Sequence, residues 1–99
     1  MKSPAELLAE MKEVLEKIQT NDAQARTAAS AEGLALSAKL HALRHLGPYG
    51  TIEQYIGEYE LHVERLATAS RDSDGNHIDL IGAMTAIEKL RGWAGFKIE

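Results

Sequence analysis

The chain has no cysteine and only two prolines, Pro4 and Pro48. Without cysteine there is no disulfide framework, no thiolate zinc site and no cysteine nucleophile. Aromatic residues are scarce: Tyr49, Tyr55, Tyr59, Trp93 and Phe96. The core must then be built from Leu, Ile, Ala and Met. No run approaches the ~18 apolar residues that cross a bilayer. The first residues, M-K-S-P-A-E-L-L-A-E-M, carry acids where a signal peptide is apolar, so a cytoplasmic location is expected. Basic excess is lacking too. The net charge is −4, which argues against gripping a nucleic-acid backbone and suits docking on a basic partner.

What is present is helical. The 99 residues, 44% hydrophobic and 26% charged, suit one soluble domain spanning residues 1–99. Ser3, Pro4 and Glu6 form an S-x-x-E capping box with proline at the first helical position. Leu7, Leu8, Met11, Val14, Leu15 and Ile18 then repeat at helical spacing. Glu13 precedes Lys17 by four residues, a favourable surface pair.

Thr20-Asn21-Asp22 is the one soft point, with Asn21 and Gln24 as a possible second cap. Alanine-rich sequence follows, and no glycine or proline marks a turn. The leading expectation is one helix from residue 4 to 46, about 65 Å long at 1.5 Å per residue. Small residues at Ala25, Ala28, Ala29, Ala31 and Gly33 would let backbones approach closely. Leu34, Leu36, Leu40, Leu43 and Leu46 restore an apolar stripe before Gly47 and Pro48 stop the helix.

Thr51, with Gln54, caps a second helix over 52–70. Ile52, Tyr55, Ile56, Tyr59, Val63 and Leu66 form the cleanest amphipathic pattern. R-D-S-D-G-N is the next turn, with Asn76 as cap and Asp79 near the helix start. In the last helix, 77–94, Ile78, Ile81, Met84, Ile87, Leu90 and Ala94 line one side, widened by Leu80 and Ala83. The fold class is all-α: an antiparallel bundle of three helices with a very long first one, or four if it breaks near Asn21.

Chemistry is thin. Asp72 to Asp79 resembles the calcium loop of the EF-hand family, but Ala83 stands where the bidentate glutamate belongs, and a polar turn explains these residues. His41 and His45 have the spacing of two zinc ligands on one helix face, without a third; charge near a helix C-terminus explains them. No serine elbow or phosphate loop is present. The chain is expected to be non-enzymatic, with no metal and no cofactor.

Two surfaces point to binding. Glu53, Glu60 and Glu64, with Glu58 nearby, offer an acidic face to a basic-surfaced protein partner. If the first helix is unbroken, Leu7, Leu8, Met11, Leu15 and Ile18 outrun the other helices and form a homodimer interface. If it breaks, that stripe folds back into a four-helix bundle. T-A-I-E-K-L-R-G-W-A-G-F, Thr85 to Phe96, resembles the helix ending near the C-terminus of some tailed-phage small terminase subunits. It covers about an eighth of the chain and implies a phage or mobile-element origin. The helix-turn-helix and basic character of those subunits are missing elsewhere.

The expected function is protein–protein interaction, binding or occluding a partner without touching nucleic acid or membrane. By analogy of size and charge, a phage-type inhibitor of host nucleic-acid-binding machinery, such as an anti-CRISPR protein, fits. The alternative is an oligomerising structural or packaging component of small-terminase kind.

Overall fold

The structure, a computed structural model, describes residues 2–43, 51–69 and 73–98, leaving aside the side chains of 51 and 94–98. Four helices follow one another: α1 (Pro4–Lys17), α2 (Ala23–Ala42), α3 (Thr51–Thr68) and α4 (Asp74–Ile98). The expected unbroken first helix is therefore two helices, and the four-helix alternative is the fold. The longest dimension of the molecule is 39 Å, far short of a 65 Å rod.

The start of α1 is as the sequence reads. Ser3 Oγ accepts from the Glu6 amide, and the Glu6 carboxylate accepts in return from the Ser3 amide. The end is different. Tight turns close it, with the Gln19 amide donating to the Glu16 carbonyl and the Thr20 amide to the Ile18 carbonyl. Thr20 Oγ1 accepts from the Asp22 amide at 3.2 Å, and Asp22 Oδ1 accepts from the Gln24 amide at 3.0 Å. Asp22 caps α2; Asn21 is exposed. Polar side chains thus supply the hydrogen bonds that a glycine or proline turn would otherwise organise.

Magnitudes explain why the chain turns here. Alanine propensity does not oppose the break, because Ala25, Ala28, Ala29 and Ala31 remain helical in α2. Only residues 18–22 leave the helix. A few backbone hydrogen bonds are exchanged for turn bonds, each worth about 1 kcal/mol net. In return six large apolar side chains leave water, on the order of 10 kcal/mol. Leu7, Leu8, Met11, Val14, Leu15 and Ile18 are all buried. The stripe assigned to a homodimer interface, Leu7, Leu8, Met11, Leu15 and Ile18, is thus filled by its own chain. Lys17, expected to pair with Glu13, reaches across to Glu32 of α2 at 3.0 Å.

The helices run up, down, up and down. α1 packs on α2 and α4, and α3 packs on α2 and α4. The direction of α2 against α3 follows from Ser30 Oγ donating to the Val63 carbonyl and Ser37 Oγ to Glu60. One cluster joins all four helices, including Leu36 and Leu40 of α2, Ile52, Ile56, Val63 and Leu66 of α3, and Ala83, Ala86, Ile87, Leu90 and Trp93 of α4. Among the small residues of α2, Ala29 and Gly33 are buried while Ala25, Ala28 and Ala31 face outward. The expected stop at Gly47-Pro48, together with Leu46 and the Thr51 side chain, lies outside the described residues.

Tyr59 spans the diagonal between α3 and α1. Its ring is fully buried, and its hydroxyl donates to the Met11 carbonyl at 2.9 Å. Burial pushes the phenol pKa up from its ordinary 10.0, with Glu32 adding to the effect. Below pH 10 both folded and unfolded chains keep this proton. Above it the unfolded chain releases the proton and the folded chain retains it, so stability falls as pH rises. Urea midpoints followed by Trp93 emission should decline above about pH 10, and Tyr59→Phe should flatten part of that decline. An equal slope in the variant would show that this phenol is not the cause.

Candidate interaction surface

The last helix decides which side chains face outward. Sequence spacing placed Ile78, Ile81 and Met84 toward the core. They are instead 63%, 50% and 44% exposed. The buried side of α4 runs through Asn76, Asp79, Ala83, Ala86, Ile87, Leu90 and Trp93. Both sides of this helix are apolar enough to be buried, so apolar periodicity cannot choose between them. Two polar residues choose.

Asn76 was expected to cap α4. Ser73 takes that role, since its Oγ accepts from the Asn76 amide at 3.0 Å. Asn76 then turns inward, is 3% exposed, and its Oδ1 accepts from Arg26. Asp79 faces α3, where its Oδ1 meets His62 Nδ1 at 2.8 Å and Arg65 Nη1 at 3.8 Å. Gly82 permits this: a Cβ there would come within 2.4 Å of His62 Nε2. Rotating α4 to cover Ile78 and Ile81 would break both connections and expose Leu90. Leaving three half-exposed apolar side chains in water costs about 1 kcal/mol each. Unpairing a buried guanidinium costs more.

Arg26 is the side chain that sequence reasoning missed. It is 3% exposed and sits one turn into α2. Its Nε and Nη2 donate to the Leu66 carbonyl at 3.0 and 2.8 Å, and Nη1 donates to the Thr20 carbonyl at 3.0 Å. Leu66 lies in the last turn of α3, where carbonyls lack helical partners and a cation is favoured. One guanidinium thereby joins the α1–α2 turn, the end of α3 and the start of α4. Its sequence signal was available: an arginine four residues past the Asp22 cap, between Ala25 and Thr27 in an alanine-rich stretch.

Of the four acidic residues singled out, Glu53, Glu60 and Glu64 share one flank of α3. Glu53 and Glu60 lie on the α2 side of α3, Glu53 beside His41 at 3.7 Å and Glu60 accepting from Ser37 at 2.7 Å. Glu64, one turn beyond Glu60, continues that flank and is exposed. Glu58 is not with them; at helical spacing it falls on the far side, where it accepts weakly from Gln54 at 3.5 Å.

The residues of the calcium-loop resemblance are diverted. Asp74 begins α4, Asn76 binds Arg26, and Asp79 binds His62 and Arg65; Asp72 lies outside the described residues. His45 does too, so the His41–His45 pair has one described member. Among the described residues, no group of three His, Cys, Asp or Glu side chains is placed to hold a metal ion. No helix among them is long and apolar enough to cross a membrane.

The outward row of α4 borders a groove of about 180 Å³ lined by Leu15, Leu80 and Met84, with Lys12, Glu16 and Gln19 on the α1 side. Ridge and groove together form an apolar strip edged by charge. Comparison with known proteins returns no matching family model, no matching curated protein and no matching solved structure, so the terminase resemblance stays confined to Thr85–Phe96.

Proposed function

We propose that this protein is a non-enzymatic interaction protein that acts by binding, and thereby occluding, another protein chain. The observation that carries this reading is the exposure of Ile78, Ile81 and Met84 on a helix whose opposite side is core. The polar pairs fix α4 in this rotation, so the exposed row is built into the fold. Among the described residues, the titratable groups Arg26, Tyr59, His62 and Asp79 are engaged in joining helices, which supports a binding role over a catalytic one.

The acidic flank of Glu53, Glu60 and Glu64 supplies a second surface, suited to a basic partner. With the small size and net charge of −4, it supports the narrower reading of a phage-type inhibitor of nucleic-acid-binding machinery, in the manner of anti-CRISPR proteins. The alternative of an oligomerising packaging component draws on α4, because Thr85 to Phe96 lies on that helix. A closed ring of many subunits in solution would favour it.

Affinity capture with the intact chain tests both surfaces. Ile81→Asp should abolish retention of a contact-site partner while leaving the thermal melt unchanged, because Ile81 is half exposed. Glu53→Lys with Glu64→Lys should abolish retention of a basic partner. Proteins retained equally by wild type and by both variants would sink the assignment of these surfaces.

A further inference from the structure

The charges along the outward row of α4 say what covers it. Asp74, His77, Ile81, Met84, Glu88 and Arg91 are all exposed and follow one another at spacings of three or four residues, along one side of the helix. The row is acidic at its start, apolar in its middle and closes on an acid followed by a base, Glu88 and Arg91. Asp74 and Arg91 are about 26 Å apart along the axis.

We infer that the occupant is a second copy of this chain, its α4 packed antiparallel on the first across a twofold axis between Ile81 and Met84. In that register Ile81 of each copy meets Met84 of the other. Asp74 meets Arg91 of the second copy, and His77 meets its Glu88, at both ends by symmetry. Arg91 already holds Glu88 of its own helix at 3.2 Å, so each end gathers a small charge network. A parallel arrangement sets Asp74 against Asp74, Glu88 against Glu88 and Arg91 against Arg91, and is disfavoured. The row is thus complementary to its own reverse, the property an isologous interface requires.

This rests on the reading of the α4 row as a contact surface and names the chain that fills it. The register differs from the α1 stripe, which is internal, and it leaves the acidic flank of α3 open on both copies. One helix pair with a groove edge is at the small end of specific interfaces, so a dissociation constant on the order of ten micromolar is expected.

Sedimentation equilibrium of the intact chain, from low micromolar to millimolar concentration, reads this directly. The mass should rise from one chain toward two. Ile81→Asp should weaken the dimer at least about thirtyfold, with its thermal melt at dilute concentration unchanged. Asp74→Arg and Arg91→Asp should each weaken it about fivefold. An equimolar mixture of those two variants should regain wild-type affinity, because each end of the mixed dimer again joins opposite charges. A wild type that stays one chain at millimolar concentration overturns the inference, as does a dimer indifferent to Ile81→Asp. A dimer that Ile81→Asp abolishes but whose charge variants do not recover on mixing overturns the antiparallel register. A single-chain wild type that still loses a different captured protein through Ile81→Asp overturns self-association alone and leaves the proposed function standing.

Discussion

Arg26→Ala is expected to remove about 3–5 kcal/mol of folding stability, from three acceptors left without their donor at about 1–3 kcal/mol each. For a chain of this length each kcal/mol lowers the melting temperature by about 4–8 °C. The variant should therefore melt well over ten degrees lower, roughly half of a typical domain's stability gone. The reason lies in what the guanidinium holds. It donates to the Thr20 carbonyl, twice to the Leu66 carbonyl and to Asn76 Oδ1. Its removal leaves these acceptors without a donor, each costing about 1–3 kcal/mol unless water enters from the neighbouring groove that Thr20, Arg26 and Ala67 line.

Arg26→Met separates packing from hydrogen bonding. It keeps most of the apolar stem and restores none of the donors, so it should fall close to Arg26→Ala. Arg26→Lys should recover little, since an ammonium cannot reproduce the planar fork that reaches several carbonyls together. Asn76→Ala and Arg26→Ala should be less than additive in combination, because they share a bond. Urea unfolding of the four single variants and the double variant, read by Trp93 emission, checks the set. Full stability of Arg26→Met would show that the site works by volume alone. Loss of Arg26 should also free α4 to rotate, so increased protease sensitivity near residues 73–82 is expected alongside the stability loss.

The second large effect is expected at Gly33. A Cβ at this position would stand 3.0 Å from Tyr59 Oη, 3.1 Å from Val14 Cγ1 and 3.3 Å from Val63 Cγ1. All three neighbours are fully buried, and the Tyr59 hydroxyl is held by the Met11 carbonyl. Each neighbour must give by a few tenths of an ångström to admit the Cβ. Alanine would gain about 1 kcal/mol of helix propensity over glycine. The overpacking of α1, α2 and α3 should outweigh it, for a net loss of about 1–2 kcal/mol in Gly33→Ala, with Gly33→Leu beyond about 3 kcal/mol.

Val14→Ala provides the control. Alone it should destabilise by opening a cavity, by about 1–2 kcal/mol. Combined with Gly33→Ala it should cost less than the sum, since the removed methyls make room for the added Cβ. Strict additivity would show that the two residues do not compete for the same space. A Gly33→Ala variant more stable than wild type would show that the helices spread at this crossing without loss.

The sequence by itself determined the all-α class, the start of α1 and which residues form the apolar stripes of α1 and α3. Those depend on local signals: a capping box at Ser3, and apolar residues recurring at Ile52, Ile56, Tyr59, Val63 and Leu66 on a helix with one apolar side. The acidic residues were legible as surface, because charge on such a helix faces water, although Glu58 parted from the others.

Three decisions belonged to tertiary structure. The turn at residues 18–22 is driven by burying the α1 stripe against helices far along the chain, an energy no local window contains. The rotation of α4 is set by Asn76 and Asp79 finding Arg26 and His62, partners 50 and 17 residues away. On a helix apolar on both sides, pairing of buried polar groups decides the inward face. That same rotation turned Ile78, Ile81 and Met84 from expected core into the candidate contact surface, while the α1 stripe went from expected interface to core. Sequence fixes which residues want to leave water, and only the packed structure settles which of them succeed.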